Sequence, residues 1–255
     1  MERTLATNRD IAGVITEGSG ASYGTVPRQP GFVEGVRQLT QRFGVVMILD
    51  EVITGFRWSP GGLQQTLGIV PDVCTLAKIL TGGLPGGAVA GRDDVMHILA
   101  RTGDAHRDRF QRVSHGGTFN ANPYCAATGN AALRIAATGE LQAQADRMAE
   151  RVRQGLRRIV ELHGVPACVY GESSTFHMYF GARSIEGLDA NTLKNVPAAI
   201  QNGIRQALQV RGVDLMSRCS GVLSGVHTEA DIDEALQAFD GAIKAMLEEG
   251  IIRQG

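Results

Sequence analysis

Along the first 115 positions, short apolar runs alternate with helical stretches and glycine-rich turns. The runs "IAGVITEG", "VVMILDEV", "VCTLAK" and "GGAVAGR" read as strands. Between the first two, "GFVEGVRQLTQRFG" sets Phe32, Val36, Leu39 and Phe43 at helical spacing, and Gly44 stands where a helix C-terminal glycine belongs. "VVMIL" is apolar without alternation, the pattern of a strand covered on both faces in a parallel sheet. Strand, helix, strand in that order predicts βαβ units and an α/β fold.

From about residue 123 the pattern turns helical, in "PYCAATGNAALRIA" and in "ELQAQADRMAERVRQGLRRIVELHG". A strand pair follows around "VPACVYGESSTFHMYFG", then a helix near "VPAAIQNGIRQALQVRG" and a closing helix. That last helix is expected to start at Thr228, with Asp231 three residues on as an approximate capping box. The change of pattern predicts two domains, 1–139 and a smaller α+β domain over 140–255.

Composition narrows the class without deciding it. The chain has 255 residues, 43% hydrophobic and 20% charged, as in an ordinary globular protein of one or two domains. A net charge of -1 gives no electrostatic case for nucleic acid or an anionic membrane, and no run is apolar for long enough to span one. The charged loop "RDRFQR" is too short and isolated to change that. Cys74, Cys125, Cys168 and Cys219 lie far apart and read as reduced thiols of a cytosolic protein. The histidines share no ligand spacing with a carboxylate or cysteine, so no metal site is expected.

The chemistry concentrates at two predicted strand ends. Asp50 closes "VVMIL" and Lys78 closes "VCTLA", and in an open α/β sheet ligands collect at the carboxyl ends of the strands. A lysine amine partly removed from water attacks carbonyls to form Schiff bases. A carboxylate in the same crevice could hold a pyridinium nitrogen protonated. The glycines of "TGGLPGG" would let backbone approach a ring or a phosphate, or simply make a tight connection; they are no Walker loop. On spacing alone, a solvated lysine and turn chemistry at Asp50-Glu51 stand beside the Schiff-base reading.

The segments "LDEVITGFR", "PDVCTLAKILTGGLPGGA" and "HGGTFNANP", in this order, closely resemble the class III aminotransferases among the fold type I pyridoxal-phosphate enzymes. Within that family the resemblance is nearest to glutamate-1-semialdehyde 2,1-aminomutase-like members. "ITEGSGASYGTVPRQPGFVEGVRQLTQRFG" and "LMSRCSGVLSGVHTEADIDEAL" extend it over nearly the whole chain. It implies that residues 1–139 are part of the large cofactor-binding domain and 140–255 the small C-terminal domain. It also implies a cytoplasmic enzyme of amino group transfer that uses pyridoxal 5'-phosphate and a small amino donor or amino-aldehyde substrate.

Carried over by position, the resemblance makes Lys78 the Schiff-base lysine and pairs Asp50 with the pyridine nitrogen. Val52 packs on a face of the ring, and Thr118 binds phosphate across a homodimer with shared active sites. Ser22 falls where aminomutase-like members often have an asparagine near the ring hydroxyl. Glu17 keeps the family glutamate, although Gly18 replaces the usual proline. His115 is expected to be structural or substrate-facing; for Arg57 and Trp58, substrate contact stands beside a surface salt bridge and a packed indole.

Family members carry a long N-terminal half ahead of the equivalent of "DIAGVITEG", with a Ser/Gly-rich phosphate loop and a ring-stacking aromatic. Here "MERTLATNR" stands there, so the resemblance is to the C-terminal portion, and sheet surface is expected to be exposed. The alternative is a non-catalytic chain, or a fragment that needs the other half. "MSRCSGVLSGVH" lacks the arginine context of many α-carboxylate aminotransferases, although Arg218 is near. That favours an aminomutase, or a transaminase of β-amino acids or amines.

Overall fold

A computed structural model describes residues 1–216 and 219–255, in two compact units. Arg218 lies outside the described residues. One unit comprises Met1–Gly18 and Arg28–Thr138; the other comprises Ser19–Pro27 and Gly139–Gly255. The short segment Ser19–Pro27, which reads in sequence as part of the first region, therefore packs with the second.

The first unit is built on β1 (Gly13–Glu17), α1 (Phe32–Phe43), β2 (Val46–Asp50), α2 (Gly62–Leu67), β3 (Val73–Leu76), β4 (Ala88–Gly91) and α3 (Pro123–Ala136). Its sheet has the order β1-β2-β3-β4. β1, β2 and β3 run parallel, while β4 returns antiparallel to β3. The connection 77–87 is shorter than the dozen or so residues that a parallel crossover needs.

Gly44 ends α1 in the left-handed conformation, at φ 66°. The buried face of α1 is Val33, Val36 and Thr40, whereas Phe32 is exposed and Leu39 and Phe43 are half-buried. Val33 and Val36 pack on Met47, Leu49 and Ile69. In β2, Met47 and Leu49 are buried and Val46, Ile48 and Asp50 half-covered, so one face is sealed rather than two. The outer strands expose Ile15 and Val89.

Asp72, just before β3, fastens this unit. Its carboxylate accepts two hydrogen bonds from Arg37 of α1 at 2.7 and 3.2 Å, one from the Met47 amide at 2.8 Å and one from Arg92 at 2.9 Å. Burial disfavours the charge, but these donors outweigh it and lower the Asp72 pKa to about 2.

The second unit holds α4 (Glu140–Leu162), β5 (Ala167–Tyr170), β6 (Thr175–Phe180), α5 (Ala198–Gln209), β7 (Ser220–Val222) and α6 (Glu229–Glu248). The strands form an antiparallel sheet in the order β5-β6-β7. Val152, Leu156 and Val160 of α4 join Phe176, Met178 and Phe180 of β6 and Phe239, Ile243 and Met246 of α6 in one core. The i, i+4, i+8 spacing on α4 gives the stripe that faces this core. Thr228 and Asp231 form a full capping box at the start of α6.

Candidate active site

Parallel pairing sets Glu17 opposite Asp50 and Asp50 opposite Thr75. Register partners on adjacent strands put their side chains on one face, so three polar groups line up at the carboxyl end of the parallel strands. The Asp50 Oδ1 atom accepts a hydrogen bond from the Thr75 hydroxyl at 3.0 Å and another from the Val52 amide at 3.0 Å. Among the described residues, Oδ2 of this half-buried carboxylate accepts none.

Lys78 follows two residues after β3 and opens a 3₁₀ turn, Lys78–Thr81. Its φ is 51°, a left-handed backbone that a side chain adopts at a cost of about 1–3 kcal/mol. The exposed amine starts from the same strand end that carries Thr75. An amine at a strained strand end and a carboxylate with one open oxygen form a donor set that fits a carbonyl-bearing pyridine ring.

The next acid has another use. Glu51 is 1% exposed and accepts the amides of Leu63 at 3.0 Å and Gln64 at 2.9 Å, together with the Thr54 hydroxyl. It anchors α2 to the end of β2. Gly62 allows this, because a Cβ there would stand 2.7 Å from Glu51 Oε1. Gly18 likewise makes room for the buried Leu63, which a Cβ would approach to 2.4 Å.

The glycines after Lys78 serve packing. A Cβ on Gly82 would lie 2.6 Å from the Thr128 carbonyl of α3, and one on Gly129 would lie 2.6 Å from the Leu80 carbonyl. The Thr128 hydroxyl donates to the Thr81 carbonyl at 2.8 Å. Close backbone contact between the turn and α3 thus explains the motif as a tight connection. An open hollow of about 520 Å³ beside it, lined by Thr81, Gly87, His115, Phe119 and Leu133 among others, includes none of Asp50, Lys78 and Thr118.

Thr118 lies exposed on the loop before α3. That loop is shaped by Asn120, whose side-chain amide donates to the His115 carbonyl at 3.0 Å. It ends at Asn122, which caps the Tyr124 and Cys125 amides. His115 is exposed, and the Trp58 indole is buried. Asp50, Val52, Lys78 and Thr118 share the first unit, whereas Ser22 belongs to the second.

Ser22 sits in a turn with φ 54°, followed by Tyr23 at 48° and Gly24 at 98°. Tyr170 donates to the Thr25 carbonyl at 2.7 Å, and His177 Nε2 lies 3.3 Å from the Tyr23 carbonyl. His177 stacks on Tyr170 and meets the Tyr23 ring at a tilt, with Nδ1 2.8 Å from the Ser220 hydroxyl. Burial lowers its pKa to about 4.

Sequence reasoning missed Thr75, Asp72 and the anchoring role of Glu51. The available signal was a lone polar residue in or beside an apolar strand, which must find a partner there.

Comparison with known proteins bears on the chain as a whole. The family described as Aminotransferase class-III matches residues 2–246. A glutamate-1-semialdehyde 2,1-aminomutase of Chloroflexus aggregans is 35% identical over 243 residues, covering 91% of this chain and 53% of that protein. An omega-transaminase from Sphaerobacter thermophilus superposes with a TM-score of 0.83 at 32% identity, over 95% of this chain and 54% of that one. A beta-phenylalanine aminotransferase from Variovorax paradoxus gives 0.79 at 26% identity, over 100% and 56%. The chain spans about half the length of these relatives. On the match over residues 2–246, it belongs to the class III aminotransferases.

Proposed function

We propose that the chain takes part in pyridoxal-phosphate-dependent amino group transfer, as an aminotransferase or a glutamate-1-semialdehyde aminomutase-like enzyme. The observation that carries this reading is the chemistry at the ends of two adjacent strands: Lys78 in a left-handed backbone, and Asp50 with Oδ2 open among the described residues. Pyridoxal phosphate, when bound, supplies a protonated pyridine ring that draws electrons from the substrate carbon. Asp50 Oδ2 would accept the ring N–H; Lys78 Nζ would hold the aldehyde carbon until the substrate's amine displaces it, and as the freed amine would then move the proton at the substrate's amino-bearing carbon. Val52 would pack on the ring, Thr118 would bind phosphate and Ser22 would lie near the ring hydroxyl.

Substrates in this reading are small amino donors or amino-aldehydes, as the names of the aminomutase and transaminase relatives suggest. The active form in this reading is a homodimer with shared sites, with 1–139 in the large domain, Ser19–Pro27 excepted, and 140–255 in the small domain. A cytoplasmic setting belongs to the same reading, supported by four cysteines that are all free thiols. No helix among the described residues is long and apolar enough to cross a membrane.

The test is covalent labelling. Borohydride added to the chain with pyridoxal phosphate, followed by peptide mapping, is expected to put the pyridoxyl mass on Lys78. The other lysines are Lys194 and Lys244. Label on either of those, with Lys78 unmodified, rules the assignment out.

A further inference from the structure

Asp50 makes both of its described side-chain hydrogen bonds through one oxygen. The Thr75 hydroxyl and the Val52 amide meet at Oδ1, each at 3.0 Å, and Oδ2 is left for another donor. Two donors on one oxygen fix the rotation of the carboxylate plane, so the direction of Oδ2 is set before any ligand arrives. That is preorganisation of an acceptor. The Val52 donor is main chain and fixed by the turn, which leaves Thr75 as the side chain that does the aiming. Thr75 also holds the next residue, since its carbonyl accepts the Glu51 amide at 3.0 Å. Register pairing of Asp50 with Thr75 places the hydroxyl on the required face.

We infer that Thr75 is a positioning residue for Asp50, turning Oδ2 toward the protonated ring nitrogen of the cofactor. The inference rests on the proposed function and goes beyond it by assigning a role to a residue that need not touch the cofactor. A threonine-to-valine exchange keeps the β-branched shape that suits the strand and deletes only the donor. Serine keeps the donor and loses a methyl group.

The experiment uses the full chain with pyridoxal phosphate labelled with ¹⁵N at the ring nitrogen. The ¹⁵N chemical shift reports protonation, and absorbance titration gives the dissociation constant. Thr75→Val is expected to lower the protonated fraction at neutral pH and to weaken binding about tenfold, the scale of one hydrogen bond to a charged group. Thr75→Ser is expected to restore both readouts, and Asp50→Asn to lose ring protonation altogether. Wild-type shift and affinity in Thr75→Val, alongside the loss in Asp50→Asn, would overturn the positioning role and leave the reading of Asp50 intact. Should Thr75→Val not fold, Thr75→Ser decides: a folded serine variant without ring protonation overturns the inference. An unprotonated ring in the wild-type chain would sink the proposed function, and this inference with it.

Discussion

Glu51 Oε2 accepts the backbone N–H of Leu63 at 3.0 Å, while its neighbour Asp50 leaves one carboxylate oxygen open among the described residues. Two adjacent acids at one strand end thus do different work. One is spent on folding the loop into α2, and the other keeps an oxygen that no described side chain or amide occupies. The motif "DE" does not distinguish them, because the difference lies in which backbone amides the following turn brings back.

Exchanging each acid for its amide should separate the two roles. Glu51→Gln places an amide NH₂ where two backbone N–H groups and a hydroxyl already donate. It is expected to lower unfolding stability by about 1–3 kcal/mol, visible as a lower urea midpoint. Asp50→Asn retains an oxygen for Thr75 and Val52, so its midpoint should stay within about 0.5 kcal/mol of wild type. Under the proposed function, its turnover should fall steeply. A normal midpoint in Glu51→Gln would remove the anchor from the account.

Asp72 gives the first unit an acid limit. Its folded pKa, about 2, lies below the ordinary 3.8, so the unfolded chain takes up the proton first as pH falls. The stability it supplies is complete above about pH 4 and is lost as pH drops toward 2. The amount is about 2 kcal/mol. Asp72→Asn is expected to cost about 3 kcal/mol at neutral pH, since Arg37 loses its partner. The gap between the acid unfolding curves of the two proteins should narrow as pH falls from 4 toward 2. Parallel curves would mean that other carboxylates set the limit.

Gly82 and Gly83 test what the glycine run is for. Both have positive φ, 62° and 101°, but only Gly82 has backbone in the way, the Thr128 carbonyl at 2.6 Å from a Cβ. Gly83→Ala is expected to cost about 1–2 kcal/mol for its backbone conformation alone. Gly82→Ala should cost clearly more, because α3 must also shift. Thermal melts rank the two. Equal losses would show that packing against α3 is not the constraint.

Strand positions were legible in the sequence because each is a short apolar run bounded by glycine or charge. The four expected strands of the first unit form, and so does the strand pair of the second. Coverage was less legible. "VVMIL" reads as buried on both faces, yet Val46 and Ile48 are only half-covered. Composition says what a strand can bury, not what lies against it. Lys78 and Asp50 were singled out by strand-end logic and resemblance, whereas Thr75 came into view only with the register. Long-range pairs stayed hidden for the same reason: His163 and Asp240 show no ligand spacing in sequence, and packing of α4 on α6 brings them to 2.7 Å.

His177 makes the second unit sensitive to mild acid. It is 1% exposed, and burial is the main cause of its low pKa, about 4 against 6.5 for the free side chain. The Tyr23 carbonyl opposes that shift, and Arg153 adds to it. Between pH 6.5 and 4 the unfolded chain therefore binds the proton and the folded chain does not. Stability is complete above pH 6.5 and declines as pH falls through 4, by on the order of 3 kcal/mol. The ring that must stay neutral also holds the turn carrying Ser22, through Tyr23. Loosening of that turn is expected to accompany the loss. Hydrogen exchange at the Tyr23 and Gly24 amides, followed from pH 7 to 4.5, should rise faster than the intrinsic rate predicts. His177→Asn removes the titrating group, so its unfolding free energy should be flatter across this range, although lower at pH 7. An equally steep decline in His177→Asn would assign the acid sensitivity to another group.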